Sequence, residues 1–218
     1  MAGEQRPYSP STSTAATAFH PGGRREDLSL PSEAHEILTY WFAGDDEERK
    51  QRWWMKNEDT DNAIRRQFGE LSARASGGAF DDWTQTIRGA LALILLLDQV
   101  PRTIHRGSPA SWASDAKARE HVRDVVAAGR HEELPPGPER MFLLMPLVHS
   151  ERTEDQEESI RLCSEMQEQQ GGSGAPSWAI QHMEIVKRFG RFPHRNNVLG
   201  RQSTQEEEEF LGQPNSSF

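Results

Sequence analysis

Apolar side chains recur at helical spacing along most of the chain. The segment PSEAHEILTYWF carries one apolar stripe, and Ser32 stands where the N-cap of a helix is expected. The segment TIRGALALILLLDQV is apolar on nearly all sides and is followed by Pro101, so we expect a buried central helix that ends before this proline. The same spacing predicts helices from about Glu58 to the glycine pair at 77–78, from Ser114 to Gly129, over PERMFLLMPLVHS with a kink at Pro146, from a capping box of Thr153 and Gln156, over SWAIQHMEIVKRF up to Gly190, and from a second capping box of Ser203 and Glu206.

The sequence predicts an all-α fold. It has no sustained alternation of apolar and polar residues and no Asn-Gly or Asp-Gly hairpin turn, which are the usual signals of strands. About seven or eight helices are expected, and helices joined by short turns tend to pack antiparallel. The predicted architecture is therefore a stack of antiparallel helical hairpins.

The two ends of the chain lie outside this helical pattern. Residues 1–30 are rich in Ser, Thr, Pro and Gly and carry no apolar period, so they lack the buried area that would offset the entropy of ordering. We therefore expect a disordered tail over residues 1–30, one all-α domain over residues 31–212, and a short disordered end over residues 213–218.

Composition and charge narrow the classes of partner and compartment. The formal net charge of -9 argues against general binding to nucleic acid or to anionic lipid, because both need a broad basic surface. No apolar run approaches the ~18 residues of a membrane span, and no signal peptide is evident, so the sequence predicts a soluble cytoplasmic protein. Cys163 is the single cysteine, and we expect it to be an inert thiol in the core.

Polar motifs follow three of the predicted helices. If successive helices alternate in direction, the third, fifth and seventh point the same way, and their carboxyl ends lie at one edge of the domain. These helices end in LDQVPR, LVHSE and RFGRFPHRN. The candidate catalytic residues at this edge are Asp98, His149, Glu151 and His194, and the candidate ligand-binding residues are Gln99, Arg102, Arg191, Arg195 and Asn196.

These residue types allow three interpretations. Arginine forks match a carboxylate or a phosphate and histidine can exchange a proton, which favours a site for a small anionic molecule. Alternatively the arginines pair internally with Asp98, Glu151 and Glu158 and only hold the structure together. A third possibility is a metal site, for which the candidate ligands are His149, Glu151, His182, His194 and Asp98. No spacing places two such ligands on one helix face, and the sequence specifies neither a metal nor a cofactor.

Four motifs in this order resemble a known family. They are YWF at residues 40–42, ALALILLLDQVPR at residues 90–102, HSE with DQE just after it, and RFGRFPHRNNVLGR followed by STQEEEEFL. From about Pro31 to Gly212 the chain resembles the mostly bacterial family catalogued as domain of unknown function 924. The resemblance implies a tetratricopeptide-like all-α fold and implies no activity. The long Ser/Thr tail and the loop GGSGAP depart from the family pattern.

Two functional hypotheses follow. The first is a small-molecule site at the polar edge with an anionic ligand, and in an enzyme of this kind His149 or His194 would be the acid-base group. The second is a scaffold that binds a peptide in the groove of a tetratricopeptide-like stack. Acidic, basic and amide groups concentrate in a few short motifs rather than along a groove, and this favours the first hypothesis.

Overall fold

The computed structural model of the chain describes residues 30–214 and residue 216, and every regular element within these residues is helical. The prediction of an all-α fold is confirmed. The helices are α1 (Ser32–Phe42), α2 (Asp46–Trp54), α3 (Glu58–Ser76), α4 (Ile87–Ile94), α5 (Val100–Ile104), α6 (Asp115–Ala127), α7 (Pro138–Val148), α8 (Thr153–Gln169), α9 (Ser177–Phe189) and α10 (Gln205–Leu211). A π-helical turn (Leu95–Gln99) joins α4 to α5, so the described part of the chain holds nine separate helices, close to the number expected.

The predicted tails lie mostly outside the described residues. This applies to residues 1–29 and to residues 215, 217 and 218. Leu30 packs against the hydrophobic core, and the Ser216 hydroxyl donates a hydrogen bond of 3.1 Å to the carbonyl oxygen of Leu211. None of the helices in the described part combines the length and the apolar character that a membrane crossing requires.

The central helix of the domain is α4, as its apolar sequence predicts. All eight of its residues are buried, and it packs against α1, α6 and α7. A further close approach, by the turn that precedes α4, requires Gly89, because a Cβ atom at this position would lie 2.2 Å from the carbonyl oxygen of Trp83. The short 3-10 turn Asp81–Gln85 can therefore lie directly against the helix.

The prediction that this helix ends before Pro101 is wrong. The helical path continues through the π turn, where the Val100 N–H bonds to the carbonyl of Leu95, and then through α5. Proline is tolerated there because the carbonyl oxygen of Leu96, which its missing N–H would reach in the π register, accepts the Ser72 hydroxyl at 2.7 Å instead. The π turn carries Asp98 and Gln99 into the buried interior.

Several predicted helix starts are wrong by one residue, and one helix was not predicted. Ser32 and Thr153 are the first residues of their helices rather than caps, and the capping box of α10 is formed by Thr204 and Glu207. At α8 the expected box is replaced by Ser150, whose hydroxyl accepts the N–H of Arg152. The unpredicted helix is α2, which has no buried residue and therefore shows no apolar stripe.

Helices α6 to α9 pack in sequence order, each against the next. At the end of α9, Gly190 adopts a left-handed conformation with φ 70°, which reverses the chain into the arginine-rich segment. This order of contacts agrees with a stack of helical hairpins, whereas the tetratricopeptide-like character of the stack stays a prediction.

An aromatic cluster ties α7 to the first two helices. Phe142 of α7 is fully buried, and its ring centroid lies 5.7 Å from that of Trp41, 5.9 Å from that of Phe42 and 4.9 Å from that of Trp53. The exposed Trp54 stacks on the same ring at 5.9 Å. Phe142 is thus the shared contact of four aromatic side chains.

We expect Phe142→Ala to lower the free energy of unfolding by about 3–5 kcal/mol, because it removes these contacts and leaves a cavity. Urea unfolding of the full chain measures this loss. Leu199→Ala is the control, since Leu199 is partly exposed and its truncation should cost within about 0.5 kcal/mol. A loss at Phe142 no greater than in the control would contradict this account of the core.

Candidate functional site

The polar segments that follow three helices meet in space. Asp98 of the π turn lies against His149, which follows α7, and the His149 Nδ1 atom is 2.9 Å and 3.0 Å from the two carboxylate oxygens of Asp98. Arg195, in the 3-10 turn Pro193–Arg195 after α9, donates from Nη2 to the backbone carbonyl of His149 at 3.0 Å. The structure therefore brings the motifs LDQVPR, LVHSE and RFPHR together, as the alternation of helix directions predicts.

Asp98 is a fully buried carboxylate that keeps its charge. Besides His149, its oxygens meet Arg102 Nη1 at 2.9 Å and the side-chain amide of Gln99 at 2.6 Å. Burial alone would raise the pKa of Asp98, but the cation of Arg102 and the hydrogen bonds from His149 and Gln99 outweigh burial and lower it to about 2. The cost of burying this charge is therefore offset by the cation of Arg102 and by the hydrogen bonds from His149 and Gln99.

His149 is held neutral with a fixed tautomer. Burial and the nearby Arg102 cation lower its pKa, and they outweigh the opposing effect of Asp98. Because an ionised carboxylate only accepts hydrogen bonds, Nδ1 carries the proton and donates it to Asp98. Nε2 is then the basic atom, and it has no hydrogen-bond partner among the described residues.

Arg195 is a buried cation beside this pair. Its guanidinium lies over the rings of Phe192, at 4.5 Å, and of Trp112, at 5.5 Å. Its Nη1 atom is 3.6 Å from Asp115, beyond hydrogen-bond distance, and its Nε atom is buried without a hydrogen-bond partner in the part of the chain that the structure describes. Burial and repulsion from Arg102 lower the pKa of Arg195 to about 10, so it stays charged at neutral pH.

Asp115 belongs to the site although the sequence analysis did not select it. It lies in the first turn of α6, where its Oδ2 atom is 2.8 Å from Arg102 and 3.6 Å from Arg195. Its Oδ1 atom is buried and has no hydrogen-bond partner within residues 30–214 and residue 216, and burial raises the pKa of the Asp115 carboxyl. In the sequence Asp115 is one acid at a helix start, a common position, and no signal marks its distant partners.

The remaining arginines of the basic segment are paired with acids. Arg201 holds both oxygens of Glu151, at 2.7 Å and 2.9 Å, and the backbone N–H of Phe192 donates to the same carboxylate at 2.8 Å. Arg191 forms a similar fork with Glu207 of α10, at 2.7 Å and 2.8 Å. These arginines thus fix the loop after α9 and the last helix.

Asn196 and Arg188 complete this outer set of contacts. The Asn196 amide donates to Ser203 at 3.1 Å and to Glu207 at 3.3 Å, and its carbonyl oxygen accepts Arg201 Nε at 2.9 Å. Arg188 pairs with Glu206 at 2.7 Å on the surface. Glu158, which the sequence suggested as a further partner, pairs instead with Arg161 on α8.

Two further histidines lie near His149. The His182 ring lies 6.3 Å from that of His149, and the Phe192 ring contacts both His182, at 5.6 Å, and His194, at 5.7 Å. Burial lowers the pKa of His182 to about 3 and that of His194 to about 4. No three His, Cys, Asp or Glu side chains within the described residues are placed to hold a metal ion, so the metal interpretation gains no support.

Other chemistry lies away from this site. Cys163 is buried, and burial raises the pKa of its thiol to about 12, as expected for an inert core cysteine. A cavity of about 260 Å³ lies between α3 and α6 and is lined by small and polar residues that include Ser72, Ser76 and Lys117. Neither Asp98 nor His149 lines it.

The family model described as "Bacterial protein of unknown function (DUF924)" matches residues 37–215. This range includes every residue of the candidate site. The chain belongs to this family. The chain is also similar to the solved structure of the protein of unknown function ATU0120 from Agrobacterium tumefaciens, with 30% sequence identity and a TM-score of 0.72. The similarity covers 82% of this chain and 96% of that one. A comparison with curated proteins gives no match.

The buried histidines predict a loss of stability on acidification. Unfolded histidines take up a proton near pH 6.5, whereas His182 and His194 do so in the fold only near pH 3 and pH 4. At a pH between the folded and the unfolded pKa of each histidine, the unfolded state therefore binds more protons than the folded state. Each of the two histidines lowers the free energy of unfolding by about 2 kcal/mol between pH 6.5 and pH 5.

Urea unfolding at pH 7 and at pH 5 measures this loss. His182→Gln should reduce the difference between the two pH values, and the same change at the exposed His35 should leave it intact. If the free energy of unfolding changes between pH 7 and pH 5 by the same amount in His182→Gln and His35→Gln, the assignment of a buried neutral His182 is contradicted.

Proposed function

We propose that this DUF924 protein binds a small anionic molecule beside His149 and uses His149 as a general base. The observation that carries the proposal is the contact between the buried carboxylate of Asp98 and Nδ1 of a neutral His149. A carboxylate in this position fixes the tautomer and orientation of the ring, so that Nε2 presents its lone pair.

A contrast between two groups of contacts supports a ligand here. In the outer set around Glu151 and Glu207, each carboxylate is occupied by an arginine fork and by a backbone N–H. In the inner set, His149 Nε2, Arg195 Nε and Asp115 Oδ1 lack hydrogen-bond partners among the described residues. Buried polar groups in proteins normally have partners, and such exceptions are found at functional sites.

Charge favours an anion as the ligand. Arg195 is the cation next to His149, and its guanidinium retains donors that Asp115 does not engage at 3.6 Å. A planar guanidinium matches the geometry of a carboxylate or a phosphate. The bound anion would lie on Arg195, and the proton to be removed would face His149.

The sequence-predicted residues take different roles in this proposal. Asp98, Gln99 and Arg102 position and neutralise the pair, and His149 and Arg195 meet the ligand. Glu151, Arg191 and Asn196 hold the loop after α9 in place, since their polar atoms are already engaged. The His194 ring packs against Phe192 near this pair.

A thermal-shift titration of the purified chain with phosphate, acetate and small hydroxy acids tests binding. A ligand at 100 times its Kd should stabilise the wild-type chain by about 2.7 kcal/mol. Arg195→Gln should abolish this shift, whereas His149→Gln should keep it, because a neutral histidine adds no charge to the site.

Two matched variants control for general damage to the fold. Arg140 is a buried arginine that bonds the backbone of Leu134, and His131 is a buried histidine of the neighbouring turn, both outside the proposed site. Arg140→Gln and His131→Gln should retain the shift. If no anion shifts the wild-type chain, or if Arg195→Gln responds as the wild type does, the proposal is wrong.

A further inference from the structure

A second group of arginines converges on Asp155 in the first turn of α8. Asp155 is buried, and its Oδ1 atom is 2.7 Å from Arg123 Nη2 and 2.8 Å from Arg123 Nε. Its Oδ2 atom accepts the Ser150 hydroxyl at 2.6 Å and also lies 3.5 Å from Arg119 Nε and 3.9 Å from Arg152 Nε. We call Arg119, Arg123 and Arg152 the Asp155 arginine cluster.

This cluster carries more positive charge than its carboxylate neutralises. Ser150 and Arg123 already occupy the two oxygens of Asp155. Glu154, a largely exposed acid, also lies 3.7 Å from Arg152. Three guanidinium groups thus surround one buried carboxylate in a chain whose net charge is negative.

Two of these arginines have unused donors. No side-chain N–H of Arg119 or Arg152 makes a hydrogen bond within the described residues, and Arg119 Nε is buried. Both side chains also reach the surface, with exposed fractions of 23% and 53%. The buried Nε donor of Arg119 favours an anionic oxygen from outside the chain, and Arg152, which is more than half exposed, can turn towards the same oxygen.

The cluster adjoins the site around His149 from two directions. Arg119 lies one helical turn after Asp115, on the same face of α6, and Asp115 is the acid nearest to Arg195. On the other side, Ser150 directly follows His149 and donates to Asp155. The contacts run from Asp115 through Arg195 to His149, and from Ser150 through Asp155 to Arg119. Because Arg119 and Asp115 lie on the same face of α6, these contacts close into a ring.

We infer that the ligand carries two anionic groups, one on Arg195 beside His149 and the second on Arg119 and Arg152. The inference rests on the proposed function and names the substrate class of the same site: a dicarboxylate or a phosphorylated carboxylic acid. Arg123 stays on Asp155 and holds that carboxylate in place.

Isothermal titration calorimetry at fixed ionic strength tests the inference with matched pairs of probes. Succinate is compared with butyrate, and 3-phosphoglycerate with glycerate, on the full chain. The wild type should bind at least one dianion about tenfold more tightly than its monoanionic counterpart, which corresponds to an added charge-assisted hydrogen bond. The pair that shows the larger preference identifies the second group as a carboxylate or a phosphate.

Variants locate the second group. Arg119→Gln and Arg152→Gln should each reduce the preference for the dianion several-fold and leave the monoanion unchanged. Asp155 keeps Arg123 and Ser150 in both variants, and Arg152 is largely exposed, so at least this variant should keep its fold. Arg161→Gln is the control, because Arg161 is a comparably exposed arginine of α8 that pairs with Glu158 and Glu165.

The outcomes separate this inference from the proposed function. If monoanions bind and dianions bind no more tightly, or if the preference survives in both variants, the second anionic group is overturned and the site beside His149 stands. If neither kind of anion binds the wild type, the proposed function fails, and this inference fails with it.

Discussion

The fold has to keep one carboxylate, Asp98, charged in the middle of its core. Removing a charge from water costs several kcal/mol, and only close partners offset this cost. Arg102 lies four residues later on the same helical path, and His149 and Gln99 donate to the same oxygens. The requirement explains why the central helix departs from regular α geometry at this point and why the chain after α7 must lie against it.

A second consequence concerns the arginine-rich segment of an acidic protein. Most of its cations are neutralised by acids far away in the sequence: Arg201 by Glu151, and Arg191 by Glu207. These pairs fix the loop after α9 so that Arg195 points inward to His149. The segment is therefore largely a support, and a single arginine of it forms part of the proposed binding site.

The sequence was sufficient for the features that depend on apolar periodicity. The central helix α4 and the alternation of helices that brings Asp98, His149 and Arg195 together could both be predicted, because burial leaves a direct pattern in the sequence. The sequence predicts that they meet at an edge of the domain, whereas Asp98 is fully buried. Helix α2 could not be predicted, since it has no buried residue. The π turn before Pro101 and the role of Asp115 depend on contacts between distant segments, and single residues give no sign of these contacts.

A general base at His149 requires a neutral ring with its proton on Nδ1, and nuclear magnetic resonance of the ¹⁵N-labelled histidines measures this directly. The account predicts that at pH 7 the His149 ring is neutral, with Nδ1 protonated and Nε2 bare, and that it titrates below the ordinary value of 6.5. The opposite tautomer, or titration near 6.5, would show that Asp98 does not hold the ring as described and would contradict the proposed base.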